Sequence, residues 1–264
     1  MSKTQKELAF LRDLYIADEW TRRFTDLVDK HMDLRDSDNM LYINAGTGGH
    51  ALAIHERFGQ KTDVFASCEN EDILTIARDK AAAIGSPVDF STIRFEDDAF
   101  DAVLADASFV RPNEIEHFML NTIRVARTGG DIAVFMPSAG SFGEVFSMLW
   151  EALFDEDLAD GGGVVEKLIS ELPTVSRLEE LAKDSGMVNI NTQTAAEIFE
   201  YENAAEFISS PLVSDFLMPA WLETLDDDEK ERANKKLAQL IDDEDASLTF
   251  RFSVKATLVT GEKG

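Results

Sequence analysis

The alternation of apolar and polar positions divides the first half of the chain into short strands separated by helices. Strands are predicted over the apolar runs 40–43, 63–67, 88–90, 100–106 and 131–136. Between these runs, apolar residues recur at spacings of three and four, which is the period of a helix with one buried face. Strands and helices that alternate at this spacing form right-handed β-α-β units, so the pattern predicts a mainly parallel sheet.

One or two amphipathic helices are predicted before the first strand, over residues 5–35. Their large apolar side chains fall on one face and are Trp20, Phe24, Leu27, Val28 and Met32. We expect this face to pack on the sheet edge or to cover a ligand.

The ends of the later helices are predicted from their capping residues. Asn70 is placed to cap the helix after the second strand, and Gly85 is placed to end it. Ser176 stands at the start of a capping-box pattern. A further helix is predicted over 112–127, and residues 128–130 are predicted to turn the chain into the fifth strand.

The pattern changes in the second half of the chain. A helix rich in large apolar side chains is predicted over 142–154, an acidic, glycine-rich loop over 155–163 and a sixth strand over 187–194. Residues 195–246 are predicted to be helical and acidic. From 248 to 258 apolar and polar residues alternate, which predicts a last strand with one buried face, paired antiparallel beside the sixth.

The charge balance is strongly acidic, with 51 Asp and Glu against 25 Lys and Arg and a formal net charge of −26. Such a surface repels phosphate, so nucleic acids and anionic membranes are unfavourable partners. The acidic runs 226–229 and 242–245 lack the ligand spacing of a calcium-binding EF-hand loop and are interpreted as solvated faces. The excess charge fits either a basic protein partner or a salt-adapted cytoplasm.

Hydrophobic residues make up 44% of the chain, which is enough for a core of ordinary size. The chain has no run of about 18 consecutive apolar residues, and its first residues, MSKTQKE, lack the apolar core of a signal peptide. These features predict a cytoplasmic protein without a membrane span. Cys68 is the single cysteine, which excludes an intrachain disulfide and a multi-cysteine metal site, and no metal is expected.

The segment 40–53, MLYINAGTGGHALA, joins the first predicted strand to a helix through a turn of small residues. In an open parallel sheet such a turn lies at the carboxyl end of its strand, where the free N–H groups and the positive dipole end of the helix face a ligand. The arrangement predicts a site for a nucleotide-like ligand. The alternative is purely structural, because any strand-to-helix connection favours glycine.

Four segments, taken in chain order, resemble class I S-adenosylmethionine-dependent methyltransferases. The resemblance is to the small-molecule group that contains the ubiquinone and menaquinone C-methyltransferases. The matching segments are NAGTGG, ENEDILTIARDKAAAIG, VDFSTIRFEDDAFDAVLAD and NTIRVARTGGDIAVFMP. The resemblance implies a Rossmann-like α/β fold: a seven-stranded, mostly parallel sheet with an antiparallel last strand, plus a helical lid. It divides the chain into an N-terminal helical cover (1–37), a core (38–194 and 248–264) and a helical insertion or lid (195–247).

The resemblance also implies S-adenosylmethionine as cofactor, bound at the glycine turn. With Gly46 and Gly48 aligned on the family's motif, its first-strand acid falls on Tyr42 and its first glycine on Asn44, followed by Ala45. Asn tolerates the left-handed backbone, so we expect the turn to survive. Tyr42 removes a carboxylate partner of the cofactor's ammonium group.

The family's ribose-binding acid falls on Cys68, with Glu69 one place later. A carboxylate suits two ribose hydroxyls and a thiol does not, so Glu69 is expected to replace it if the strand's exit shifts by one residue. Asp89 matches the acid that the family places against the adenine amino group, and Phe90 is expected to pack on the adenine ring.

The implied reaction transfers the sulfonium methyl group to a nucleophile, which requires alignment, exclusion of water and, for a weak acceptor, removal of a proton. Asp106, at the end of the fourth strand, is assigned both to the cofactor site and to catalysis. His50, in the first turn of the motif helix, is the second catalytic candidate. For both, the alternative is a capping or surface role. Aromatic residues within 195–246 suggest an apolar or aromatic small-molecule acceptor, unless they form the core of the lid.

The sequence therefore predicts a methyltransferase acting on a small molecule. The alternative is a catalytically inactive, methyltransferase-like protein that binds a different ligand or serves as a protein-interaction subunit. The departures at Tyr42 and Cys68 and the acidic surface motivate it. A protein partner or a homodimer is considered for either function.

Overall fold

The computed structural model describes residues 3–32, 34, 37–59, 61–158, 163, 167, 171–244 and 249–264. Parts of three predicted features lie outside these residues: 159–162 of the acidic loop, Asp245 of the second acidic run, and Leu248 of the last strand. The described residues form a seven-stranded sheet with helices around it. The predicted Rossmann-like α/β fold, with parallel strands and an antiparallel last strand, is confirmed.

The helices and strands alternate through the first half of the chain. The α-helices are α1 (Gln5–Leu11), α2 (Arg22–His31), α3 (Gly49–Phe58), α4 (Glu71–Ile84), α5 (Ile115–Val125), α6 (Gly143–Asp155), α7 (Val175–Asp184), α8 (Ala204–Ser209), α9 (Met218–Trp221) and α10 (Asp227–Glu244). Two π-helices span Arg12–Thr21 and Leu212–Leu217, and a 3-10 turn spans Pro112–Glu114. The strands are β1 (Asn39–Ile43), β2 (Asp63–Ser67), β3 (Asp89–Ser91), β4 (Phe100–Asp106), β5 (Ala126–Pro137), β6 (Met187–Tyr201) and β7 (Phe250–Lys263).

The strand order is β3-β2-β1-β4-β5-β7-β6. β1 is parallel to both of its neighbours, with Tyr42 opposite Ala66 on β2 and opposite Leu104 on β4. The chain builds outward from β1 to β3 and then returns to place β4 on the other side of β1. This reversal of strand order is the position at which open α/β sheets bind ligands, at the carboxyl ends of the strands.

The chain divides into two compact units. The first consists of residues 1–136, 174–195 and 256–264. Its core is an apolar layer of β4, β5, α5 and α7 side chains, among them Val103, Met119, Ile123, Val134 and Leu178, each at most 3% exposed. Burying one such side chain contributes about 1.5–3 kcal/mol, so this layer fixes the sheet on which the site is built.

The second unit consists of residues 137–173 and 196–255. Its aromatic side chains pack on one another: Trp221 lies 5.1 Å from Phe142 between ring centroids, and Phe199 stacks on Phe252 at 4.8 Å. Tyr201, Phe207 and Met218 are also buried. These residues form the core of the unit, which was the alternative interpretation to an acceptor pocket.

The structure corrects the predicted connection into the fifth strand. Helix α5 ends at Val125, and β5 already begins at Ala126, so the helix predicted over 112–127 is shorter and residues 128–130 lie inside the strand. Its pairing with β4 shifts register between Phe100 and Ala102, as in a β-bulge. The bulge needs glycine, because a Cβ on Gly130 would lie 2.9 Å from the main-chain oxygen of Asp101.

Four further boundaries test the local rules. Strand β6 runs to Tyr201, so residues 195–201 of the predicted helical insertion are strand instead. Helix α7 is capped by Thr174, whose hydroxyl accepts from Arg177 N at 3.1 Å, and the prediction of Ser176 as cap is wrong. The cap at Asn70, which accepts from Ile73 N at 3.0 Å, and the stop at Gly85 are confirmed.

Candidate functional site

The glycine turn between β1 and α3 is held in left-handed backbone conformations. Asn44 has φ +56°, Gly46 +55° and Gly48 +81°. The side-chain amide of Asn44 donates to the main-chain oxygen of Asp106 at 3.1 Å, and Ala45 N donates to the Ser67 oxygen at 2.9 Å. These bonds connect the turn to the ends of β4 and β2, so its shape is fixed by the sheet.

Phe90 supports the turn through Gly48. A Cβ on Gly48 would lie 2.7 Å from the Phe90 ring and 3.1 Å from the Ala77 methyl group. Phe90 is 2% exposed, while its neighbour Asp89 is exposed. The structure therefore gives Phe90 a packing role at the turn, and its packing on adenine stays a prediction.

Arg12 lies over the turn, and its side chain is buried. Its Nη2 is 2.5 Å from Glu69 Oε1, and its guanidinium carbon is 5.1 Å from the centroid of the Phe109 ring. A Cβ on Gly46 would lie 3.4 Å from Arg12 Nε. Residue-by-residue comparison with the family missed Arg12. One sequence signal was available, because Arg12 precedes Ile16 and Trp20 on the same helix stripe at a spacing of four.

Asp13 fixes the start of the π-helix to the site. It accepts a hydrogen bond from the Thr47 hydroxyl at 2.6 Å and forms an ion pair with Lys80 of α4. We call Asp13, Thr47 and Lys80 the clasp. Helices with π-type hydrogen bonding are rare and often occur at functional sites. Sequence reasoning gave no role to the clasp, because its members are far apart in the chain.

Tyr42 and His50 face each other at the first strand. The Tyr42 hydroxyl is 3.3 Å from His50 Nδ1, and His50 Nε2 is 3.5 Å from Asp29 Oδ1. Tyr42 is 1% exposed, and burial, together with the charge of Asp106, raises the pKa of its phenol well above the ordinary value. The hydrogen bond from His50 lowers the pKa of Asp29. Tyr42 is therefore a neutral group that orients His50, not a substitute for a carboxylate.

Asp106 is a buried carboxyl group at the end of β4. Burial raises its pKa to about 6, against the opposing effects of Arg12 and of the hydrogen bond from Ser108 N, which is 2.7 Å long. A carboxyl group with a pKa in this range exchanges protons near neutral pH, which suits proton transfer.

Cys68 and Glu69 differ in what they offer a ligand. Cys68 is 6% exposed, and burial raises the pKa of its thiol to about 12, so it stays protonated. Glu69 extends to Arg12 and presents a carboxylate beside the turn. Of the two residues proposed for the ribose position, Glu69 therefore has the fitting chemistry.

A cavity of about 370 Å³ opens in front of the turn. Its wall includes Ala45, Gly46 and His50 of the predicted site, together with Arg12, Thr47 and residues of the first helices. The structure thus brings these predicted residues together. Cys68, Phe90 and Asp106 are instead buried in the surrounding structure.

No group of three or more His, Cys, Asp or Glu side chains in the described part of the chain is arranged to hold a metal ion. Within the same residues, no helix has the length and apolar character needed to cross a bilayer.

The sequence matches the model of the ubiE/COQ5 methyltransferase family over residues 11–197, more than half of the chain. The chain belongs to the ubiE/COQ5 methyltransferase family. It is 23% identical over 182 residues to a demethylmenaquinone methyltransferase of Shouchella clausii, covering 62% of this chain and 77% of the relative.

Solved structures share the methyltransferase fold. The YcgJ protein of Bacillus subtilis aligns with a TM-score of 0.58 at 15% identity, covering 92% of this chain and 98% of that one. A phosphoethanolamine N-methyltransferase 2 of Haemonchus contortus, solved with phosphomonomethylethanolamine and S-adenosylhomocysteine, aligns with the same score at 13% identity, covering 98% of this chain and 57% of that one.

The cofactor of the family is S-adenosylmethionine. The residues at the turn fit it. Gly46 leaves the main chain of the turn bare in the cavity wall, Gly48 lets the turn pack closely on Phe90, and Glu69 supplies a carboxylate for a diol. The family assignment and this donor set make the chain an S-adenosylmethionine-dependent methyltransferase.

Proposed function

We propose that the methyltransferase acts on a small acceptor at the cavity in front of the glycine turn. The observation that carries this proposal is the left-handed turn between β1 and α3, beside the end of β4 and bounded by Arg12, Glu69 and His50. Bound S-adenosylmethionine supplies an electrophilic methyl group on sulfur. The protein then has to bind the cofactor, align the acceptor and exclude water.

The predicted cofactor residues other than Asp106 have the following proposed roles. Glu69 accepts hydrogen bonds from the ribose hydroxyls, and the main chain from Asn44 to Gly48 lies along the cofactor, with Tyr42 behind it. Asp89 accepts from the adenine amino group. Phe90 and Cys68 keep the shape of the site, since both are buried.

His50 is the proposed proton acceptor. It lines the cavity, and Asp29 is placed to orient its ring through Nε2. Asp106, with its pKa of about 6, is the second group that can take a proton at neutral pH. A group that takes up a proton is needed when the atom to be methylated is a weak nucleophile, such as a ring carbon.

The acceptor is proposed to be an apolar or aromatic small molecule. Support comes from the relative in Shouchella clausii, whose name gives demethylmenaquinone as its substrate. The aromatic residues of 195–246 no longer support it, because they pack in the core of their own unit. The cytoplasmic location, the protein partner and the homodimer stay predictions.

Calorimetric titration with S-adenosylmethionine and S-adenosylhomocysteine tests the proposal. We expect both ligands to bind the wild-type protein and neither to bind Gly46→Val, because the variant places a branched side chain against Arg12. Circular dichroism of the variant is expected to show an intact fold. Absence of binding at millimolar ligand would refute the cofactor site. Cofactor binding without methyl transfer to any tested quinol would instead favour the inactive, ligand-binding alternative.

A further inference from the structure

Strand β6 stands at one end of the strand order, so one side of its main chain has no strand beside it among the residues that the structure describes. No residue from Val188 to Ala195 is buried. Asn189 interrupts the regular backbone near the start of the strand with φ +54°. The segment 190–195, which we call the β6 edge, therefore presents main-chain N–H and C=O groups with which another strand can pair.

The opposite edge of the sheet, β3, is protected against such pairing. It has three residues, and the first is the exposed Asp89. Cys68 N, on the β2 side, donates to the Ser91 oxygen at 2.8 Å, so the Phe90 oxygen points outward. Arg78 covers that oxygen with hydrogen bonds from Nε at 3.1 Å and from Nη2 at 2.8 Å. A short strand, a charge and a covered carbonyl are means by which proteins keep an edge unpaired.

The sequence of the β6 edge, INTQTA, contains neither a charged residue nor a proline. In the whole chain 29% of the residues are charged, and the net charge is −26. Two copies of such a chain repel each other, and the repulsion is weakest where the contacting segments carry no charge. One acid borders the edge: Glu179 of α7, whose carboxylate accepts from the Thr192 hydroxyl at 2.9 Å. The β6 edge is therefore a place where two copies can approach each other.

We propose that a second copy of this chain pairs with the β6 edge and joins the two sheets across a two-fold axis. A two-fold axis perpendicular to the sheet brings the same segment of both copies together, and the two strands are then antiparallel. The side chains that meet across the strands are those of Asn, Thr and Gln, which can form hydrogen bonds without charge. A short strand pairing buries a small area, so the dimer is expected to be weak and reversible.

Sedimentation velocity of the full chain, from micromolar to near-millimolar concentration, measures the monomer–dimer equilibrium. Wild type is expected to shift from the monomer mass of 29.3 kDa towards twice that mass as its concentration rises. The shift should be larger at about 1 M salt than at about 0.1 M, because salt screens the repulsion between acidic chains. Thr194→Glu, at an exposed position of the β6 edge, places a like charge on each copy and should raise the dissociation constant by about tenfold or more.

Thr92→Glu is the matched control, because it adds the same charge at an exposed position next to β3, across the width of the sheet. It should change the dissociation constant by less than about twofold, since its charge is screened over that distance. Hydrogen exchange needs no variant: amides of the β6 edge should exchange more slowly as the wild-type concentration rises, whereas those of β3 should keep their rates.

Three results would overturn the proposal. A wild type that stays monomeric at every concentration and salt would leave the β6 edge to a strand of another protein. A dimer that Thr194→Glu and Thr92→Glu weaken equally, or that neither weakens, would use a different surface. Exchange of the β6 amides that is slow at every concentration would mean that the edge is covered within one chain. None of these results bears on the cofactor site, which shares no residue with the β6 edge.

Discussion

The side-chain amide of Asn44 donates a hydrogen bond to the main-chain oxygen of Asp106 across 3.1 Å, joining the carboxyl ends of β1 and β4. Asn44 stands where the family has glycine, and its φ is +56°. One residue therefore takes the left-handed conformation that glycine would supply and adds a bond that glycine does not have.

Replacing Asn44 separates these two contributions. Asn44→Gly relieves backbone strain but loses the hydrogen bond, so we expect the free energy of unfolding to change by less than about 1 kcal/mol. Asn44→Ala loses the bond and keeps the strain, and should cost about 2 kcal/mol. Urea denaturation measures both. Equal stability of the two variants would show that the left-handed backbone at this position causes no strain in alanine.

Gly48 and Gly49 form a matched pair. Gly48→Ala adds a methyl group 2.7 Å from the Phe90 ring at φ +81°, and should lower stability by about 2–4 kcal/mol. A Cβ on Gly49 meets nothing within 4 Å at the start of α3, so Gly49→Ala should be neutral or stabilise by up to about 1 kcal/mol. Adding Phe90→Leu to Gly48→Ala should restore part of the loss. Additive effects in that double variant would exclude the proposed clash.

Glu69 should contribute more to cofactor affinity than Glu71 does. Glu69→Ala is expected to weaken the binding of S-adenosylhomocysteine more than tenfold, because it removes a carboxylate that accepts from two hydroxyls. Glu71→Ala is the control, because it removes the same charge. The Glu71 carboxylate accepts from the Thr92 hydroxyl at 2.7 Å, so its loss should change the affinity little. If the two variants bind the ligand equally well, Glu69 does not contact it.

Asp106 should make stability depend on pH. Its pKa is about 6 in the folded state, above the ordinary value of 3.8, so its charging opposes folding and stability falls as pH rises toward 6. Asp106→Asn removes this effect. The free energy of unfolding of Asp106→Asn should therefore rise relative to that of wild type by about 1 kcal/mol between pH 5 and 7, and the difference should then level off.

Asp101→Asn provides a contrast of opposite sign. Hydrogen bonding from Arg127 lowers the pKa of Asp101, so its ionised form stabilises the fold above pH 4 and this contribution is lost as pH falls. The variant should be destabilised throughout pH 5–7. Denaturant titrations across this range test both carboxylates, and a pH-independent effect of Asp106→Asn would contradict the assigned pKa.

The clasp should hold the first helices in place. Asp13→Ala removes the contacts to Thr47 and Lys80 and should cost about 1 kcal/mol, since the pair is partly exposed. Asp18→Ala removes the same charge from an exposed position of the same helix and should cost less. Hydrogen exchange of the π-helix amides should accelerate in Asp13→Ala and stay unchanged in Asp18→Ala. Equal exchange in both variants would rule out the clasp.

Local sequence rules predicted the sheet well, because its strands are short apolar runs with clear ends. The predicted ranges 63–67 and 100–106 match β2 and β4. The rules failed where hydrogen bonding between strands determines the extent of a strand. The chain continues as strand through 195–201, and the 128–130 segment bulges within β5 instead of turning the chain into it. Neither result can be read from the local spacing of apolar residues.

The site was predicted only where it is a continuous motif. The turn from Asn44 to Gly48 follows directly from its small residues, whereas Arg12 and Asp13 reach it from another helix. Thr174 and Ser176 are both suitable caps, and the extended backbone of Thr174 selects it. Such choices depend on tertiary contacts that sequence spacing does not contain.

Tyr42 puts a neutral phenol where the family has a carboxylate, and this has a consequence for product inhibition. The sulfonium cofactor carries one net positive charge, and S-adenosylhomocysteine carries none. With no charge on Tyr42, the preference for the cation depends more on the long-range field of a chain with net charge −26. Salt screens that field over about 10 Å at 0.1 M, so S-adenosylhomocysteine should compete more effectively as ionic strength rises.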